Sequence, residues 1–139
     1  VKKIEFEVMK RYQKFIKKGV LESLYRVPFH SRAPIKRLSM LSRKIIPTSD
    51  THIAVHFING KQKYSQYSTL HRHDYDEINL ILSENDKLTY EIQLEDETYV
   101  VSSPSTVYIP KDTRHKANVV SGKGIFVCII LSDGYKSYS

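Results

Sequence analysis

The chain contains no tryptophan and a single cysteine, Cys128. One thiol excludes an intrachain disulfide and fits a reducing compartment, so a cytoplasmic protein is expected. Cys128 lies in the strand-like run Ile125 to Leu131, where it reads as a small buried hydrophobe and not as a nucleophile. No apolar run approaches the ~18 residues that suggest a membrane span, and Val1 to Glu7 are too charged for the apolar region of a signal peptide. A phosphate-binding loop, a dinucleotide fingerprint and a Ser-His-Asp order are also missing. Internal repeats, linkers and low-complexity stretches are absent too, which leaves 139 residues as one domain large enough to bury a core.

Charge is present but unevenly spread. Residues 1–48 carry thirteen Lys/Arg against three Asp/Glu, whereas residues 49–139 carry nine against twelve. A basic arm on a mildly acidic body suggests an anionic partner, but the periodicity of the arm favours a solvated helix face. Ile4, Val8, Tyr12 and Ile16, with Met9 and Phe15 beside them, form one stripe at helical spacing. Lys17-Lys18-Gly19 then closes the pattern as a helix end does, with cations in the last turn and glycine after it. Residues 1–48 are therefore expected to hold a basic N-terminal helix and a first strand, packed on a body formed by residues 49–139.

From Pro34 onward the chain reads as strands. Ile35 to Leu41 is the first, Thr51 to Ile58 ends at the turn signal Asn59-Gly60, and Leu70 to Leu82 follows. Leu88 to Leu94, Thr98 to Ser102, Val107 to Ile109, His115 to Val120 and Ile125 to Leu131 complete an antiparallel set. Short strands at this spacing predict an all-β sandwich or jelly roll.

The segment His71-Arg72-His73-Asp74-Tyr75-Asp76-Glu77 carries the chemistry, together with His115 in Pro110-Lys111-Asp112-Thr113-Arg114-His115. Side chains alternate along a strand, so His71, His73 and Glu77 share one face and Arg72 takes the other. Imidazole and carboxylate together form a nitrogen/oxygen site suited to one divalent transition ion: Fe(II), Mn, Ni, Cu or Zn.

These residues resemble the cupin superfamily. Its first motif reads Gly-x5-His-x-His-x3/4-Glu-x6-Gly and is matched by His71, His73 and Glu77. Its second reads Gly-x5-Pro-x-Gly-x2-His-x3-Asn and is matched by Pro110 and His115. Ser65 and Glu84 replace the glycines of the first motif, Pro104 and Asp112 those of the second, and Asn118 arrives one residue early. Residues of these types also serve turns. The resemblance spans roughly residues 50–132 and implies a single cupin-type jelly-roll β-barrel with His71, His73, Glu77 and His115 as metal ligands.

It further implies an open site on a small metal-dependent enzyme for a polar metabolite, either an oxygenase (dioxygenase) or an isomerase/lyase. A binding or sensing cupin without turnover is the alternative. A homodimer is expected, with the basic N-terminal segment helping to cover the barrel. Some cupins carry a helix-turn-helix DNA reader, but Val20 to Arg26 offers at most two helical turns here, so nucleic acid is not expected as a partner.

Parity nominates a lining for the cavity: Tyr67 and Thr69 with His71, and Asn79 with Glu77. Tyr90 offers both apolar area and a hydroxyl. In Thr51 to Ile58 the apolar face (Ile53, Val55, Phe57) ordinarily seeks the core, which would leave His56 in solvent. A barrel around a polar site can reverse that choice, which makes His56 a further candidate, and alternation alone does not choose between the faces. Lys111 and Arg114 flank the loop before His115, where a cation would clamp an anionic substrate. Three histidines with ordinary pKa values near ~6.5 would make metal affinity fall steeply below about pH 6.

Overall fold

The structure, a computed structural model, describes residues 10–27, 30, 35–60, 66–85 and 87–132. Among the described residues nine strands follow in chain order: β1 (Val20–Glu22), β2 (Lys36–Leu41), β3 (His52–Ile58), β4 (Glu77–Leu82), β5 (Thr89–Leu94), β6 (Glu97–Ser102), β7 (Ser105–Ile109), β8 (His115–Ser121) and β9 (Gly124–Ile130). They form two sheets, one of six strands in the order β1-β2-β3-β9-β4-β7 and one of three in the order β6-β5-β8. All pairings between these strands are antiparallel. The long-range pairing of β3 with β9 places the last of these strands in the middle of the larger sheet.

Ile81, Phe126 and Ile130 of the larger sheet share one buried cluster with Tyr90, Ile92 and Val119 of the smaller. Tyr90 stacks on Phe126 across the sheets at 4.5 Å between ring centroids. The core lies between two sheets, as the all-β reading requires.

Two expectations change. The first concerns the N-terminal helix. Residues 1–9 lie outside the described residues, and from residue 10 the chain makes only a 3-10 turn at Gln13–Phe15. Tyr12, Phe15 and Ile16, the described part of the apolar stripe, are exposed. A helix this short needs tertiary packing to persist, and these three residues are not packed. Gly19 instead lies against β2, where a Cβ would meet Met40 Sδ, and Val20 enters the sheet as β1.

The second concerns Leu70 to Leu82, which is not one continuous strand. Regular pairing begins at Glu77, and the chain bends at Asp74 and Tyr75. Burial nevertheless alternates from His71 to Ile81, so the parity holds through the bend. On β3, where alternation alone left both faces open, His56 and Ala54 face the interior while Phe57 faces out.

Asp112 adopts φ 63°. It stands where the second motif has glycine, and aspartate is among the side chains that tolerate the left-handed region. The turn is kept with a different residue.

Candidate metal centre

Two stretches of backbone meet at the site. His71 N–H donates to His115 C=O at 3.1 Å, and His115 N–H donates to His71 C=O at 2.7 Å. Asp112 N–H donates to His73 C=O at 2.6 Å. The second motif is thereby laid directly against the first.

Each histidine is then oriented through its Nδ1. His71 Nδ1 meets Thr69 C=O at 2.6 Å, and His115 Nδ1 meets Thr113 C=O at 2.9 Å. A carbonyl only accepts, so both rings carry their proton on Nδ1 and turn an Nε2 lone pair inward. His73 Nδ1 meets the Tyr75 hydroxyl at 3.1 Å, with the two rings stacked at 4.7 Å. One ligating atom from each of His71, His73 and His115 lies within 4.8 Å of the others, and all three residues are buried.

Glu77 completes the cluster from the first residue of β4. Its Oε1 lies 3.2 Å from His73 Nε2 and its Oε2 lies 3.6 Å from His115 Nε2. Asn79, two residues along on the same face, donates to Oε2 at 3.0 Å and steadies the carboxylate. Although burial opposes its charge, the close His115 and His73 rings hold the Glu77 carboxyl well below the usual carboxylate range. Burial also opposes a proton on His115, but the Glu77 carboxylate outweighs it and raises the His115 pKa. His71 is lowered to about 4, by burial first, with the backbone bond to Thr69 opposing and the neighbouring histidines adding. His71 and His115 are therefore shifted in opposite directions and do not titrate together.

A divalent cation fits this donor set. His115 Nε2 and Glu77 Oε1 are buried and have no hydrogen-bond partner among the described residues. Unmet buried polar groups are costly, and an ion among them answers both.

Beside the cluster is a cavity of ≈ 20 Å³, about the volume that one water or ion needs. His56 and Tyr67 line it, as the parity reading allowed. Asn79 and Tyr90 are buried behind this lining, Asn79 on Glu77 and Tyr90 accepting a bond from the Tyr67 hydroxyl at 3.1 Å. Two candidates do not face it. Thr69 is exposed and offers the site only its carbonyl, because the chain before His71 is not a regular strand. Arg114 is exposed as well; its backbone pairs with Glu95, N–H to Oε1 at 2.9 Å and C=O from the Glu95 N–H at 2.8 Å, which turns its side chain outward. Lys111 is exposed, and its N–H donates to Asp76 Oδ1.

Sequence reasoning missed Arg37 and His30, which also line the cavity. Arg37 lies on β2 opposite His56 and is 1 % exposed. The alternation Ile35, Arg37, Ser39 was its only sequence signal, and an arginine ordinarily puts such a face in solvent. Asn118 was read only as an imperfect motif match. It is buried and clamps the chain ahead of His71: Oδ1 accepts from the N–H of Tyr67 and Ser68 at 2.8 and 2.9 Å, and Nδ2 donates to Ser68 C=O.

No protein-family model matches the chain, and no curated protein matches it in sequence. Its architecture is shared with solved structures of cupins. The polyketide cyclase RemF from Streptomyces resistomycificus aligns with TM-score 0.60 at 14% identity, over 95% of this chain and 85% of that one. A cupin-2 domain protein from Rhodospirillum rubrum aligns with TM-score 0.58 at 17% identity, over 95% and 79%. KdgF from Halomonas sp. aligns with TM-score 0.54 at 17% identity, over 80% and 85%. The chain has the cupin fold.

Proposed function

On this cupin fold, we propose that the protein is a small metal-dependent enzyme, with His71, His73, Glu77 and His115 holding one divalent transition ion. The observation that carries this reading is the convergence of three histidine ligand atoms within 4.8 Å beside a buried carboxylate. Fixed tautomers support it for His71 and His115, whose Nδ1 protons are engaged by carbonyls. Four protein ligands on an octahedral ion leave two positions open, the mark of a reactive site as opposed to a structural one. When bound, such an ion polarises a coordinated oxygen or holds substrate and a second ligand side by side. The protein's own groups fix the ligand geometry, keep Glu77 ionised and restrict entry to small polar molecules. Oxygenase and isomerase/lyase chemistry are both compatible with this donor set.

Elemental analysis of protein purified without chelator or affinity tag tests the metal. Oxygen uptake across a metabolite screen with Fe(II)-loaded protein then separates oxygenase from isomerase or lyase. A second reading is a binding module without turnover, favoured by the narrowness of the cavity. Metal-dependent thermal stabilisation by a metabolite without its conversion supports that reading. We further propose a homodimer. No helix among the described residues is long and apolar enough to cross a membrane.

A further inference from the structure

Arg37 is the one fully buried guanidinium among the described residues. Its Nη1 donates to His56 Nε2 at 2.7 Å. Arginine only donates, so His56 accepts through Nε2 and carries its proton on Nδ1. Arg37 Nη2 and His56 Nδ1 are buried with no hydrogen-bond partner among the described residues. Glu22 approaches Arg37 Nε only to 3.6 Å, beyond hydrogen-bond length, and is itself 29% exposed. Both Arg37 and His56 line the cavity shared with His71, Glu77 and His115.

Unpaired donors of this kind, one of them charged, require an acceptor. Charge balance says which. With a divalent ion among the histidines, the ion and Arg37 together exceed Glu77 and Glu22 by one positive charge. Uncompensated charge in a buried site is costly, and a single negative charge from a ligand removes the excess. The forked face of a guanidinium matches a carboxylate, and the narrow cavity takes the end of a molecule, not its body.

We infer that Arg37, supported by His56, anchors the carboxylate of a small monocarboxylic acid next to the metal, which makes this acid the substrate or ligand class of the site. The inference rests on the proposed metal function for its charge balance. Its two donors stand on geometry alone. Arg37 is a binding residue in this account, and His56 positions it.

The test uses protein loaded with Co(II), its metal content measured, and titrated calorimetrically with acetate, glycolate and pyruvate and with their neutral amides. The carboxylates should bind about tenfold or more tightly than the amides, since a buried charged hydrogen bond is at stake. Arg37→Gln should abolish that preference at unchanged metal content. Glu22→Gln alters a partly exposed side chain and should tighten carboxylate binding about two- to fivefold, the range an exposed pair supports. Equal binding of acid and amide by fully loaded protein overturns the anchor and leaves the metal function standing. Protein that takes up no metal yet binds acetate, with the affinity lost in Arg37→Gln, keeps the anchor and removes the metal function. If Arg37→Gln does not fold, Glu22→Gln decides, and absence of tightening overturns the anchor.

Discussion

His71 and His115 are forty-four positions apart in the chain and each is the backbone hydrogen-bond partner of the other, at 3.1 and 2.7 Å. This single bridge makes one site from two motifs. It sets the separation of the two rings at 4.5 Å between centroids.

His71→Ala or His115→Ala removes a ligand atom and leaves the backbone bridge in place. Metal affinity should fall by more than the about 10–100-fold that loss of an outer-sphere partner brings, with the strand signal in circular dichroism retained. Arg72→Ala is the control, because Arg72 turns outward to Asp112 at 3.2 Å. Equal metal content in wild type and the His71/His115 double variant would remove the proposed site.

Tyr75→Phe deletes the hydroxyl that meets His73 Nδ1 and keeps the stacked ring. Affinity for metal should drop about 10–100-fold, the usual effect of losing the group that orients a histidine ligand. The melting temperature of the metal-free protein should change little. A variant that binds metal like wild type would show that Tyr75 serves packing alone.

The pH dependence of metal uptake should be shallower than the steep fall expected when all three rings have ordinary pKa values. His115 has a raised pKa, so its proton competes with metal up to a higher pH than that of an ordinary imidazole, whereas His71, lowered to about 4, has no proton to give up at pH ~6. Uptake at pH ~6 should therefore release fewer than three protons, measurable by calorimetry in buffers of differing ionisation heat. In metal-free protein the two rings act in opposite senses. The contribution of His115 is present below its unfolded value of 6.5 and lost as pH rises through the folded one. That of His71 is present above 6.5 and lost as pH falls towards about 4. Release of three protons at pH ~6 would contradict this assignment.

Asn118→Ala leaves the N–H groups of Tyr67 and Ser68 and the C=O of Ser68 without the side chain that meets them. A loss of about 2–4 kcal/mol in urea unfolding is expected, since each unmet buried group costs about 1–3. The cavity should suffer too, because Tyr67 lines it. Stability within about 0.5 kcal/mol of wild type, the scale of an ordinary surface change, would show that the clamp contributes nothing.

The outer face of the six-stranded sheet carries a row in which Leu38, Val55, Val127 and Leu80 are consecutive cross-strand partners, flanked by Phe57 and Ile125. All six are half-buried or exposed, not core. Extended apolar surface of this kind favours association, and the proposed homodimer is expected to use it. Light scattering should give a dimer at tens of micromolar, a working range for a standard-size interface, and Val127→Lys should give a monomer. A monomeric wild type would remove the proposal.

Much of the strand plan was legible in the sequence because β-rich runs and turn residues are local signals. Thr51 to Ile58, Leu88 to Leu94 and Ile125 to Leu131 fall within a residue or two of β3, β5 and β9. The shared face of His71, His73 and Glu77 was legible for the same reason, since alternation survives even the bend at Asp74 and Tyr75. What lay beyond reach depends on partners distant in the chain. His56 faces inward because Arg37 stands opposite it on β2 and Phe126 opposite it on β9. Neither neighbour is implied by the alternation within β3. Thr69 and Arg114 had the right parity or position, but irregular backbone and the hold of Glu95 turned their side chains outward. The sequence by itself determined which residues alternate and where the chain turns, because those depend on neighbours one to four positions away. Only the tertiary structure decided which face is the inside, because that choice belongs to strands meeting across the sheets, and it placed a buried arginine beside the histidine cluster.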